Sequence, residues 1–217
     1  MMGVKICGLC RPDDAAAAVA AGADYVGVIL APGMRRSQSY QAAAQIFAAA
    51  AGARRVGVFV DPQAQEVNAA ISELSLSVVQ LHGQESPALV ASLAQSVTVW
   101  KAVRVRAPHE LRDAANHYPH AAALLLDAYH PDLAGGSGAR LDWAALVQDR
   151  NGLPADLQVV LAGGLTHHNV AAAIRWLAPH VVDVSSGVER VVGEKSPELM
   201  IWFVTAARAA ENGSMHE

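Results

Sequence analysis

Eight short apolar runs recur along the 217-residue chain, at residues 4–7, 25–30, 55–60, 78–81, 97–103, 123–127, 158–162 and 181–185. Each is followed by a stretch with helical punctuation, so strand and helix signals alternate at a spacing of roughly 20 to 35 residues. The runs are continuously apolar and do not alternate with polar residues, which is the pattern of parallel strands covered on both faces. No glycine fingerprint of the dinucleotide-binding kind follows the first run. Eight repeats in 217 residues therefore predict an α/β chain folded as a single-domain, closed parallel (β/α)8 TIM barrel over residues 1–217, with a frayed tail after about 211.

The helix signals fit that frame. Asp13 opens a helix that Gly22 stops, a second spans 40–51, and Asp61-Pro62 leads into a third that ends at Leu74. Ser86-Pro87 and Ser196-Pro197 pair a capping hydroxyl with a proline preset for the first helical turn. Helices are also expected at 109–116, from an Asp142 cap toward Gln148, from a Thr166 cap to Leu177, and from Pro197 to about Ala210.

With 53% hydrophobic and 17% charged residues the chain has enough apolar surface for a large core. Its longest apolar runs fall far short of the roughly 18 residues of a membrane span. It enters a strand at once with no secretory pattern, so a cytoplasmic protein is expected. A net charge of −4 and basic pairs only at Arg35-Arg36 and Arg54-Arg55 argue against a nucleic-acid surface. Two cysteines, Cys7 and Cys10, have redox or half-zinc spacing but lack a second ligand pair. The nine histidines form no set suited to a closed zinc site, and no metal or other cofactor is expected.

In a parallel barrel the chemistry lies at the carboxyl ends of the strands. Those ends carry Cys7, Asp61, His82, Asp127, Gly163-Gly164 and Ser185-Ser186-Gly187, with Arg36 in the loop after the second strand. Asp127 interrupts an apolar run and precedes a long connection, so it reads as chemistry more than as a helix cap. Glycine-rich turns after strands seven and eight are where such barrels bind phosphate through backbone amides. Arg36 is a candidate partner for a carboxylate, and His82 and Asp61 are candidates for supporting hydrogen bonds. Gly135-Gly136-Ser137-Gly138 lies in a connection far longer than the usual βα loop and reads as a lid over substrate.

The motifs Lys5-Ile6-Cys7-Gly8, Val56-Gly57-Val58-Phe59-Val60, Gln80-Leu81-His82-Gly83, Leu126-Asp127, Gly135-Gly136-Ser137-Gly138, Ala162-Gly163-Gly164-Leu165 and Asp183-Val184-Ser185-Ser186-Gly187-Val188-Glu189 occur in that order. Together they resemble the phosphoribosylanthranilate isomerase family of tryptophan biosynthesis, from Lys5 to about Phe203. The resemblance implies an isomerase that needs no cofactor and carries out an Amadori rearrangement of N-(5'-phosphoribosyl)anthranilate to 1-(2-carboxyphenylamino)-1-deoxyribulose 5-phosphate. It implies Cys7 as general base, Asp127 as general acid and Arg36 as the holder of the anthranilate carboxylate. Phosphate falls to Gly163, Gly164, Ser185, Ser186 and Gly187, while Asp183 matches a family aspartate with no role assigned. Cys10 stands where family members commonly carry a hydroxyl residue. A monomer or homodimer acting on a small phosphorylated molecule is expected.

These roles require a thiolate at Cys7 and a proton on Asp127, the reverse of the unperturbed order of a thiol and a carboxyl. Lys5 is given no credit for activating the thiol, because strand parity buries it. Rival readings are another phosphate-binding barrel, such as a pentose-phosphate epimerase or the related histidine-pathway isomerase, and a noncatalytic thiol redox module.

Overall fold

The computed structural model describes residues 1–104, 109–127 and 143–213. Eight parallel strands close into a barrel in chain order. They are β1 (Gly3–Ile6), β2 (Tyr25–Ile29), β3 (Arg54–Phe59), β4 (Val78–Leu81), β5 (Thr98–Val103), β6 (Ala123–Asp127), β7 (Gln158–Ala162) and β8 (Val181–Val184), with β8 pairing back onto β1. The helices that follow them are α1 (Pro12–Ala20), α2 (Tyr40–Ala49), α3 (Ala64–Leu74), α4 (Pro87–Leu93), α5 (Glu110–His117), α6 (Trp143–Asn151), α7 (Val170–Leu177) and α8 (Pro197–Gly213).

The capping signals act as expected at Ser86 and Ser196, each of which accepts a hydrogen bond from the amide three residues on, and Ser39 caps α2 in the same way although its sequence context gave no such expectation. Thr166 does not cap α7. A turn over Thr166–Asn169 intervenes, in which the Asn169 side chain accepts from the Thr166 amide and donates to the Gly164 carbonyl, and α7 starts at Val170. The last helix runs past Ala210 to Gly213. The expected Asp142 cap and the glycine-rich lid at Gly135, Gly136, Ser137 and Gly138 lie outside the described residues.

Strand parity divides the core in two. Val4, Ile6, Val26, Val28, Val79, Leu81, Leu124, Leu126, Leu161 and Val182 belong to the large outer cluster that the helices cover. Tyr25, Val56, Val78, Trp100, Ala102, Ala123, Leu125, Val160, Ala162 and Val181 form a separate cluster inside the barrel. The inward series continues up each strand, and there it turns polar: Lys5 then Cys7 on the first strand, Gln80 then His82 on the fourth, Asp183 then Ser185 on the eighth. Lys5, Gln80 and Asp183 are nearly fully buried.

Beyond β8 the chain forms a 3-10 turn (Ser186–Val188) and a small antiparallel hairpin of β9 (Glu189–Val191) and β10 (Glu194–Lys195). Asp14, buried at the start of α1, accepts from the Lys195 amide and so anchors the hairpin against the first βα unit.

Candidate active site

A cavity of about 460 Å³ opens at the carboxyl ends of the strands. Its lining brings together Cys7, Arg36, His82, Asp127, Gly163, Gly164, Asp183, Ser185, Ser186 and Gly187, residues scattered over 180 positions of sequence. Gln80 also lines it. Asp61 is turned to other work: its backbone is left-handed, its amide donates to Glu85 and its carboxylate accepts from the Gln84 amide.

Cys7 is the first residue past β1, and its amide still bonds the Val184 carbonyl. It fits because Gly27 on β2 has no side chain: a Cβ there would come within 2.8 Å of Cys7 Sγ and 3.1 Å of Lys5 Cε. Gly8, with φ at +68°, makes similar room, since a Cβ would crowd Arg36 Cδ at 2.7 Å and Ser185 Oγ at 2.8 Å. Both thiols are free, and Cys10 Sγ points at the carbonyls of Gly8 (3.7 Å) and Arg36 (3.8 Å).

Two charged networks flank the thiol. In the first, Lys5 and Asp183 face each other in the β1–β8 ladder and their side chains meet at 2.7 Å. Lys5 Nζ also donates to Gln80 Oε1 at 2.8 Å, Gln80 Nε2 lies 3.0 Å from His82 Nδ1, and His82 Nε2 is 3.8 Å from Asp127 Oδ2. One chain of contacts thus crosses the barrel from beneath Cys7 to Asp127. Among the described residues, Asp183 Oδ1 has no hydrogen-bond partner. Parity buries Lys5, as expected, and places it inside the barrel beside Cys7, where its charge pulls the thiol down without overcoming burial.

In the second network Arg36 donates through Nε (2.6 Å) and Nη2 (2.5 Å) to the two oxygens of Glu189. The buried Lys195 ammonium completes it, 3.0 Å from Glu189 Oε1 and from the Ser185 carbonyl. Burial alone would raise the Glu189 carboxyl, but Arg36 and Lys195 bring it down to about 2. A guanidinium has five N–H donors and Glu189 takes two, so Arg36 is held in place with donors to spare. Sequence reading assigned no role to Gln80, Glu189 or Lys195. Gln80 and Glu189 stood inside quoted motifs, and Lys195 gave no signal, standing between Glu194 and Ser196 in a short polar stretch.

The protonation of the two central groups runs against the expectation. Burial pushes the Cys7 thiol up, and Asp183 pushes the same way, outweighing the pull of Lys5 and Lys195. His82, 3.8 Å away, holds the Asp127 carboxyl below its ordinary value against the opposing effect of burial. The ligand-free site therefore carries a thiol at Cys7 and a carboxylate at Asp127.

Gly163 and Gly164 both have positive φ, at 89° and 65°. Such paired left-handed residues turn successive amides toward one side of the loop. Among the described residues the Gly164 amide makes no backbone hydrogen bond. The facing loop is packed hard against this one, because a Cβ on Gly187 would stand 1.9 Å from the Leu165 carbonyl oxygen. Among the described residues no group of three or more His, Cys, Asp or Glu side chains is arranged to hold a metal ion, and no helix is long and apolar enough to cross a membrane.

The N-(5'-phosphoribosyl)anthranilate isomerase family model matches residues 4–206. An N-(5'-phosphoribosyl)anthranilate isomerase of Chromohalobacter salexigens is 46% identical over 206 residues, 93% of this chain and 92% of its own length. A structure of monomers of the dimeric phosphoribosylanthranilate isomerase from Thermotoga maritima superposes with a TM-score of 0.83 at 35% identity, covering 96% of this chain and 99% of that one. Another phosphoribosylanthranilate isomerase, in complex with reduced 1-(o-carboxyphenylamino)-1-deoxyribulose 5-phosphate, gives 0.84 at 34% identity over 96% and 100% of the two chains. With its closed barrel, its ordered motifs and a match spanning nearly the whole sequence, this chain belongs to the N-(5'-phosphoribosyl)anthranilate isomerase family.

Proposed function

We propose that this protein isomerises N-(5'-phosphoribosyl)anthranilate to 1-(2-carboxyphenylamino)-1-deoxyribulose 5-phosphate in tryptophan biosynthesis, with Cys7 as general base and Asp127 as general acid. The observation that carries the proposal is one cavity that gathers a thiol, a carboxylate, an arginine and two glycine turns at the mouth of the barrel. These match the parts of the molecule, which has a carboxylate at one end, a phosphate at the other and a sugar between.

Asp127 gives its proton to the furanose ring oxygen, the C1–O bond breaks, and the lone pair of the anthranilate nitrogen forms the C1=N iminium. Cys7 then takes the proton from C2. The C–H electrons become the C1=C2 bond, the iminium nitrogen regains its lone pair, and the enolamine tautomerises to the ketone. Electrons and atoms balance within the substrate, so no cofactor is consumed. Arg36 receives the anthranilate carboxylate with the donors that Glu189 leaves free. The Gly163-Gly164 and Ser185-Ser186-Gly187 loops receive phosphate through amides.

The protonation of the ligand-free site gives this mechanism a specific form. The working pair, thiolate with carboxylic acid, has the same total of protons as the resting pair, thiol with carboxylate. One proton shifted from Cys7 to Asp127 converts one into the other. Substrate anions help by raising the carboxyl.

The test is turnover of phosphoribosylanthranilate by the purified chain in the presence of a chelator, with the product resolved by chromatography. A pentose 5-phosphate and the histidine-pathway aminoaldose serve as competitors for the assignment. Conversion of the anthranilate substrate alone, insensitive to chelation, is the expected result. Its absence, or chelator-sensitive epimerisation, would sink the reading.

A further inference from the structure

The orientation of His82 follows from a lysine that it does not touch. A Lys ammonium can only donate, so the Gln80 atom 2.8 Å from Lys5 Nζ must be the carbonyl oxygen. The Gln80 amide nitrogen is thereby the atom turned to His82 Nδ1, at 3.0 Å, and an amide N–H₂ likewise only donates. His82 Nδ1 is then the acceptor of the ring. The single proton of the neutral imidazole stands on Nε2, the atom that faces Asp127 Oδ2.

We propose that Gln80 is a positioning residue that locks His82 in the neutral Nε2–H tautomer, so that Asp127 presents its second oxygen to substrate.

The inference deepens the proposed reaction and rests on it in one respect: with Oδ2 facing His82 Nε2 at 3.8 Å, the proton that Asp127 delivers to the sugar is carried on Oδ1. Sequence reading placed His82 as possible support for the site, and the structure adds what fixes its direction.

Nitrogen-15 NMR of full-length protein labelled at histidine tests the tautomer without reference to turnover, with the His82 signals assigned from their loss in His82→Phe. The expected wild-type pattern is a pyrrole-type Nε2 and a pyridine-type Nδ1. In Gln80→Glu, Lys5 keeps its acceptor while the second carboxylate oxygen demands a donor. His82 should then move to the Nδ1–H or doubly protonated form. The kcat should fall by about 10- to 100-fold with KM little changed, the scale typical of losing a group that orients a reacting one. A wild-type Nδ1–H ring, or an unchanged tautomer in Gln80→Glu, overturns the proposal. So does an altered tautomer with unaltered kcat. A silent wild-type enzyme with the expected tautomer would instead count against the reaction and leave the assignment of the ring standing.

Discussion

Two of the buried lysine–carboxylate pairs of this barrel, Lys101–Glu85 and Lys5–Asp183, differ in what surrounds them. Lys101 lies on the outer side of β5, 3.0 Å from Glu85 Oε2 and beneath the Tyr118 ring. Its donors go to the carbonyls of Gly83 and Ala102, while Glu85 Oε1 takes the amides of Asp61 and Gly83. The pair ties down two βα turns. Lys5 and Asp183 lie on the inner side, where the lysine bonds no backbone carbonyl but a carboxylate and a glutamine, and where Asp183 lines the cavity. A buried pair tied to backbone groups fixes loops, whereas one tied only to side chains beside a cavity tunes the groups that line it.

The comparison is broken most severely by Asp183→Asn set against Lys101→Met. The first keeps the shape but removes the charge partner of Lys5, and turnover should fall by about 10²-fold or more, the scale of other single electrostatic groups in active sites. The second should lower stability by about 3–5 kcal/mol, as removal of one partner from a buried pair does. Turnover per folded molecule should stay near wild type. Denaturant melts and steady-state assays on both variants check this, and the idea fails if the two trade places.

A smaller effect concerns pH. Because Cys7 is raised and Asp127 lowered, the productive protonation has its greatest share between their two midpoints. Raising pH through the Cys7 midpoint yields thiolate with carboxylate, which lacks the acid, so kcat/KM should fall there. Alkylation of Cys7 by iodoacetamide should rise over the same interval. Activity that instead climbs in step with alkylation would contradict the reversed protonation.

The mildest perturbation is acid. Glu189 is lowered to about 2 by Arg36 and Lys195, so its contribution to stability is full above the unfolded glutamate value and is lost as pH falls toward about 2. Glu189→Gln should be less stable at neutral pH and show a shallower loss of melting temperature in acid. Parallel acid profiles for the two proteins would remove the cluster from the account.

The barrel was readable because each strand is an unbroken apolar run and the turns between them carry glycine, proline and capping hydroxyls. Cys7, Asp127 and the paired glycines were readable because each interrupts such a run at a strand end. Parity gave the burial of Lys5 but not which charged neighbours share the interior. Its partner Asp183 is 178 positions away and meets it only through barrel closure. Lys195 was invisible for the same reason, since its contacts with Asp14 and Ser185 are made only in the folded chain. Gln80 looked like one polar residue in an apolar strand until the donor-only chemistry of Lys5 gave its amide a direction.

The central claim is that Cys7 and Asp127 act as base and acid across one cavity. It is tested most directly by the kcat of purified Cys7→Ala and Asp127→Asn on phosphoribosylanthranilate, alongside their thermal midpoints. Each should lose about 10² to 10⁴ in turnover, the usual worth of one acid or base, with melting little changed. Near-wild-type turnover by either folded variant would contradict the assignment of that residue.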